Sequence, residues 1–314
     1  MTAATAPVAT PPPAAAPPAA PGGGAARPAP PQAGPRLRVA GAALSILAAL
    51  LLGLVADAGL VSDLRQARDR QVDYAAFRSA LANGVAPVGA SAGGGRAPEP
   101  GEPVAVLEIP ALRLREVISE GTTAEGLTRG PGHRRDTPLP GQSGTSVVMG
   151  RQAAYGGPFR HLAELSTGDT FTVITGQGTH RYRVIGPRRA GDPQPAAPAA
   201  GRGRLTLVTA DGTPYMPDGV LRVDADLVSD PQPTPAPAVR PGALPEDEKP
   251  MAGQSSAWLP LVLWGQALLL AAAAVAWARA RWGRPHAWAV GAPLLGALGL
   301  ATADHLLLLL PGLL

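Results

Sequence analysis

The amino-acid sequence predicts a mainly β domain, of sandwich or barrel type, carried by three transmembrane helices. Residues 104–228 contain six short runs rich in β-forming residues, separated by Gly, Pro and Asp turn signals. Three apolar runs, 39–61, 258–278 and 288–310, reach the length of about 20 residues that a helix needs to span a bilayer. Arginines gather beside these runs and predict their orientation.

The β domain is assigned to residues 104–229. Several of its runs alternate apolar and polar residues with period two, which is typical of strands that bury one face. A region of this length is a usual size for one domain. The predicted strands are 104–109, 146–149, 170–175, 181–185, 205–209 and 220–227.

The three apolar runs predict a multi-pass protein of the cytoplasmic membrane, with the lipid bilayer as its first partner. Arginines at positions 27, 36 and 38 precede the first run, so we expect the N-terminus in the cytoplasm. The arginine-rich loop 279–287 lies between the second and third runs and is expected on the same side. The β domain then lies outside the cell. Asp304 and His305 interrupt the third run close to its outer end, where an interfacial position is predicted.

The remaining segments are predicted from their composition. Residues 1–38 are rich in Ala and Pro and are expected to form a disordered cytoplasmic tail. Residues 62–103 combine a juxtamembrane helix with a linker, and residues 230–257 form a second, Pro-rich linker. A signal peptide is the alternative for run 39–61, but this run is longer than an h-region of about 7–15 residues.

The composition excludes several kinds of site. The chain contains no cysteine, so it has no disulfide, thiolate metal site or thiol nucleophile. The abundance of Ala, Gly, Pro and Arg is typical of a GC-rich bacterium, and the net charge of +4 needs no nucleic-acid partner. His161 and His180 have no metal-ligand spacing with other residues and are predicted on the surface. No metal or other cofactor is expected.

The β region also carries an ordered series of short motifs. They are Leu107-Glu108-Ile109-Pro110, Glu120-Gly121-Thr122, Gly130-Pro131-Gly132-His133, Leu139-Pro140-Gly141-Gln142, Tyr155-Gly156-Gly157-Pro158-Phe159, Gly168-Asp169, Tyr182-Arg183-Val184 and Leu205-Thr206-Leu207-Val208-Thr209. In this order the motifs resemble bacterial sortases, particularly the class E type. The resemblance implies a sortase-like β-barrel with short helices. Sortases are transpeptidases that cut a sorting signal in a secreted protein and join it to a cell-envelope amine.

Three catalytic positions of that family can be carried over to this chain. A cysteine thiolate attacks the carbonyl, a histidine acts as acid or base, and an arginine stabilises the oxyanion. The resemblance places Ala210 at the cysteine position, Arg151 at the histidine position and Val220 at the arginine position. Arg222 lies two residues further and shares the strand face of Val220. Since a methyl group cannot attack a carbonyl, the sequence predicts a cleft without sortase chemistry.

One alternative gives the cleft a different nucleophile. Thr209 and Asp211 flank Ala210 and are candidates for this role, with Arg151 and His133 as helpers. Neighbouring residues on a strand point to opposite faces, so neither inherits the direction of residue 210. The pair formed by Asp211 and the following glycine is also typical of a turn.

A second alternative uses the arginines for binding. Arg151 and Arg222 can line the cleft and pair with a carboxylate or a peptide terminus, because guanidinium groups bind carboxylates in a bidentate manner. The opposing interpretation makes both of them solvated surface residues.

Three functional hypotheses follow. The first is a non-catalytic protein outside the membrane that binds a secreted peptide or a cell-wall component, or serves as a scaffold. The second is a cell-envelope hydrolase or transpeptidase with a non-thiol nucleophile. The third is a structural membrane protein whose helices assemble with partners while the barrel is a spacer.

Overall fold

The computed structural model describes residues 44–45, 48–49, 51–89, 97–235, 239–240, 242–282 and 284–314, without the side chains of residues 58 and 279–288. The features below belong to one unit, Ser45–Leu314. The predicted tail 1–38 lies outside the described residues, as does part of the linker that follows residue 84.

Eight strands close into a barrel in the order β1-β2-β3-β4-β7-β8-β6-β5. The pairs β2/β3 and β4/β7 are parallel, and the other neighbours are antiparallel. The strands are β1 (Pro103–Ile109), β2 (Leu114–Glu120), β3 (Gly132–His133), β4 (Gly144–Met149), β5 (Thr170–Thr175), β6 (Gly178–Arg188), β7 (Gly203–Thr213) and β8 (Met216–Leu227). A mainly β barrel with short helices was the predicted fold class, and it is confirmed.

The period-two pattern of the strands separates an apolar interior from an outer face. On β7, Leu205 and Leu207 lie in the barrel core, while Thr206 and Val208 point outward. β8 repeats the pattern with Leu221 in the core. The six predicted runs all fall within strands, whereas β2 and β3 were missed. β2 carries charged residues at Arg115, Glu116 and Glu120, which hide its alternation, and β3 has only two residues.

In the described part of the chain, three long helices accompany the barrel: α1 (Ser62–Ala82), α2 (Trp258–Trp282) and α3 (Arg284–Leu309). Two stretches, Ser255–Ala278 and Ala289–Leu309, are long and apolar enough to cross a membrane. The described residues therefore contain two candidate spans and not the predicted three. The first predicted span, 39–61, lies partly outside them, and its described end is helical over residues 51–56, with a π-helical turn at Asp57–Val61.

Helix α1 is fastened to the outside of the barrel by apolar and charged contacts. Phe77 is fully buried against Val106 and Val117. The buried carboxylate of Glu116 accepts hydrogen bonds from Arg70 at 3.1 Å and Gln66 at 3.0 Å. These contacts hold α1 in a fixed position on the barrel wall.

The segment before α2 is also attached to the barrel. Short 3-10 turns form at Glu246–Glu248 and Ser255–Ala257. The side chain of Glu248 is only 4% exposed and pairs with Arg135 at 2.8 Å. Thr122 donates a hydrogen bond to the main-chain oxygen of Glu248 at 2.7 Å. Part of the predicted linker 230–257 is therefore packed on the barrel.

Candidate functional site

The outer face of β4, β7 and β8 forms a groove, defined here by Met149, Val208, Ala210 and Val220. Ala210 and Val220 are direct partners in the antiparallel ladder of β7 and β8. Met149 pairs with Val208 in the parallel ladder of β4 and β7. Arg151 follows β4 by two residues, so it lies level with Ala210. The structure thus brings Ala210, Arg151 and Val220 to one place.

Among the described residues, Arg151 is the largest fully buried side chain, with 1% of its surface exposed. Its guanidinium donates hydrogen bonds to the main-chain oxygens of Ala124 at 2.7 Å and Leu314 at 3.2 Å. It also lies over the ring of Tyr155, 5.0 Å from the ring centre. Burial lowers the pKa of Arg151 to about 10. The interpretation of Arg151 as a solvated surface residue is therefore wrong.

The segment that follows α3 runs into the groove, and we call residues 310–314 the strap. Leu313 and Leu314 are buried in one apolar cluster with Met149, Val208 and Ala210. Gln152 donates its main-chain N–H to the oxygen of Leu313 at 2.8 Å. The strap covers Ala210, which retains only 1% exposure.

The groove continues from this apolar end into an open cavity of about 510 Å³. Its walls combine Met149 and Val208 with five arginines, at positions 134, 188, 189, 204 and 222, and with Asp192 and Asp224. This volume lies in the range of about 300–1,000 Å³ that is typical of ligand sites. The groove therefore has an apolar end under the strap and an open end rich in guanidinium groups.

Arg222 lies in this open end and pairs with Val208 across the β7/β8 ladder. Burial lowers its pKa, and the neighbouring charge of Arg188 acts in the same direction. Arg188 itself bonds to Asp224 at 2.5 Å. Asp224 also accepts the hydroxyl proton of Thr206 at 2.6 Å, so its oxygens are already engaged. Arg222 is thus a half-buried cation that faces the cavity.

The two candidate nucleophiles differ in position from Ala210. Thr209 pairs with Leu221 of the barrel core and is 1% exposed, so it lies on the opposite face of β7 from the groove. Asp211 is half-buried at the end of the groove and binds Arg189 at 2.9 Å. The alternation of the strand keeps Thr209 out of the groove, and the ion pair occupies the carboxylate of Asp211.

None of the three histidines discussed above lies in the groove. His133 is 1% exposed and pairs in register with Val148 of the core, so it faces the barrel interior. Its ring nitrogens lie 2.8 Å from the carboxylate of Glu120 and 2.9 Å from the oxygen of Pro138. His180, predicted on the surface, is 2% exposed instead, and this burial lowers its pKa. The prediction holds for His161, which is exposed.

Residues that sequence reasoning did not assign to the site also shape it. Tyr155 has a φ of 53°, an uncommon conformation for a bulky residue, and its ring lies beneath the guanidinium of Arg151. Burial raises the pKa of Tyr155 to about 12. Gln152 spans the groove rim, because its side-chain amide donates to the oxygen of Gly212 at 2.8 Å. Within the described residues, no group of three or more metal-ligating side chains is found.

Comparisons with known proteins find similarity to sortases in the region of the barrel. The family model of the sortase domain matches residues 107–223. Sortase D of Bacillus subtilis (strain 168) is 33% identical over 88 residues, which cover 28% of this chain and 43% of the relative. The chain thus spans less than half the length of that relative.

Solved structures of several sortase classes are also similar to this chain. The structure of sortase E1 from Streptomyces coelicolor with a tripeptide in the active site shares 22% identity, covers 43% of this chain and 93% of its own, and has a TM-score of 0.37. A sortase E from Streptomyces avermitilis shares 28% identity, covers 48% and 99%, and has a TM-score of 0.36. Sortase C-1 from Actinomyces oris is 28% identical, with coverages of 41% and 76% and a TM-score of 0.36.

Proposed function

We propose that the protein is a membrane-anchored, non-catalytic member of the sortase family, whose domain model matches residues 107–223, and that it binds a peptide in the groove without cutting it. The observation that carries this proposal is the side chain at position 210. Ala210 occupies the position that the resemblance assigns to the attacking cysteine, and the whole chain contains no cysteine. Loss of a nucleophile that acts with its neighbours typically lowers a rate by about 10⁴- to 10⁶-fold.

The substituted neighbours are suited to binding. Arg151 offers a buried guanidinium at the histidine position, and it already holds the main-chain oxygens of two segments. Arg222 offers a second guanidinium in the open cavity. Guanidinium groups recognise carbonyl and carboxylate oxygens through several donors in a fixed plane. A groove with apolar walls and two such donors fits an extended peptide that presents main-chain oxygens and an acidic group.

The proposed location is the outer face of the cytoplasmic membrane. The arginine-rich loop 279–287 separates the two candidate spans and favours the cytoplasm for that end. The opposite ends of α2 and α3 meet at the barrel. There the main-chain N–H of Gln254 donates to the main-chain oxygen of Leu308 at 2.9 Å. This arrangement supports a barrel outside the membrane, close to the lipid surface.

The competing proposal is an enzyme with a non-thiol nucleophile. It requires a hydroxyl or carboxylate that points into the groove beside a base. Thr209 faces the interior and Asp211 is paired with Arg189. These positions favour binding over catalysis.

A cleavage assay tests the proposal. The full chain in detergent micelles is incubated with fluorescent sorting-signal peptides and an amine acceptor, and the products are separated by mass. We expect binding by fluorescence anisotropy but no product above a blank without protein. Thr209→Val and Asp211→Asn serve as matched variants. Product formed by the wild type and lost in either variant would establish the competing proposal.

A further inference from the structure

The strap reaches the groove directly from the membrane. Helix α3 ends at Leu309, and the chain turns through Pro311 and Gly312 into the apolar end of the groove. The N–H of Gly312 donates to the oxygen of Ala252 at 2.9 Å, so the strap is paired with the segment that precedes α2. The bilayer-proximal ends of both helices thus hold the strap beside the barrel.

The contacts of the strap are those of a bound peptide. Its main-chain oxygens are satisfied from the groove, by the N–H of Gln152 at Leu313 and by the guanidinium of Arg151 at Leu314. The side chains of Leu313 and Leu314, 1% and 3% exposed, fill the apolar end. Main-chain hydrogen bonds combined with pockets for side chains are a recurrent mode of peptide recognition.

The glycine at position 312 permits a close approach to the barrel. A β-carbon placed on Gly312 would lie 3.5 Å from that of Ala124, a residue of the loop between β2 and β3. Ala124 also supplies the oxygen that binds Arg151 at 2.7 Å. The strap, this loop and Arg151 therefore pack against one another and together cover Ala210.

We propose that the strap, residues 310–314, is a ligand in cis for the groove, and that a peptide from another protein binds only by displacing it. This inference rests on the proposed function of the groove as a peptide site. The groove then takes an extended segment with two adjacent apolar side chains and free main-chain oxygens. Apparent affinity for such a peptide is reduced by the fraction of molecules in which the strap is in place.

Disulfide trapping tests whether the strap lies in the groove. The natural chain has no cysteine, so an introduced pair has no competing thiol. In the full chain in detergent micelles, the pair Ala124→Cys and Gly312→Cys has the β-carbon spacing of a disulfide, about 3.5–4.5 Å. The free thiols that remain are labelled under denaturing conditions with a maleimide-linked polymer and counted from the increase in mass. The matched control variant combines Ala124→Cys with Gly265→Cys in α2. A β-carbon added at position 265 would have no atom within 4 Å, so this pair cannot form a disulfide in the folded protein.

We expect the 124–312 pair to form an intramolecular disulfide at least about tenfold faster than the control pair, because a disulfide requires this proximity. Equal rates in the two pairs would overturn the placement of the strap. This measurement needs neither a partner nor catalysis, so it stands apart from the test of the proposed function.

Peptide binding tests the competition. A fluorescent peptide with the sequence of residues 309–314 is added to the 124–312 variant in its reduced and oxidised forms. The oxidised form should bind at least about tenfold more weakly, since its strap cannot leave. Leu313→Ser with Leu314→Ser, in the otherwise natural chain, should bind about tenfold more tightly than the wild type, because the strap no longer fills the apolar end of the groove.

The control for the double serine variant is Val228→Ser, an exposed apolar position outside the groove. Equal affinity in the oxidised and reduced forms, or no binding to any form, would overturn the proposal. Cleavage of the peptide would contradict the non-catalytic function and leave the cis-ligand inference intact.

Discussion

Replacement of Arg151 by methionine is expected to change stability little, although Arg151 is the largest fully buried side chain of the described residues. Burial lowers its pKa to about 10, well below the usual value of an arginine. At about 1.36 kcal/mol for each pKa unit, holding this charge in the folded state costs about 3 kcal/mol. Two hydrogen bonds from a charged donor contribute about 1.5–3 kcal/mol each and offset that cost. Methionine fills much of the same volume without a charge.

The expected result for Arg151→Met is a change of less than about 1.5 kcal/mol in the free energy of unfolding, with the two opposing contributions removed together. Arg151→Ala, the matched control, also leaves a cavity and should lose about 2–5 kcal/mol. Thermal and denaturant unfolding of the full chain in micelles, followed by circular dichroism, measures both variants. A loss above about 3 kcal/mol for Arg151→Met would refute the reasoning, because it would show that the interactions of the charge outweigh the cost of burying it.

The pH dependence gives an independent check of the same reasoning. The folded-state pKa lies below the unfolded value, so the cost is fully present below about pH 10 and is released as the pH rises through that value. Relative to Arg151→Met, the wild type should gain about 1 kcal/mol between about pH 9 and pH 11. A constant difference over this range would contradict the cost assigned to burying this cation.

Three further predictions concern the groove and its attachments. Gly150→Ala should destabilise the protein by about 1–3 kcal/mol in thermal unfolding, because its added β-carbon would lie 2.6 Å from the ring of Phe159. Glu248→Ala should cost about 3–5 kcal/mol by the same assay, since it leaves Arg135 without its buried partner. The thiol of Ala210→Cys should react with maleimide at least about tenfold more slowly than an exposed cysteine, because the strap covers it.

Each of these predictions has a contradictory outcome. Unchanged melting of Gly150→Ala would mean that Phe159 is not packed on the chain at that point. A neutral Glu248→Ala would show that the segment before α2 is not fastened to the barrel. Rapid labelling of Ala210→Cys in the presence of an intact strap would show that the groove is open.

The barrel was predictable because most of its strands have a recognisable local sequence pattern. β5 and β8 combine β-branched or aromatic residues with a period-two pattern, and turn signals bound them. β2 was not predicted because it carries Glu116 and Glu120, which are usually surface residues. Both are buried here because they pair with Arg70 and His133 elsewhere in the chain. Partners distant in the sequence cannot be recognised from a local pattern.

The site was predictable only as far as the family motifs reach. The motifs locate Ala210, Arg151 and Val220, and strand alternation then indicates that Thr209 faces away from them. The burial of Arg151 was not predictable, because its acceptors are main-chain oxygens that carry no residue signature. The strap was likewise missed, since its leucines continue the apolar run of α3 and look like membrane residues.

The most direct measurement of the central claim is the intact mass of the protein after incubation with a sorting-signal peptide and quenching in acid. The side chain of residue 210 has no atom able to form an acyl bond, so we predict that the mass of the wild-type chain is unchanged. A mass increase equal to the acyl half of the peptide, on any residue of the groove, would contradict the account.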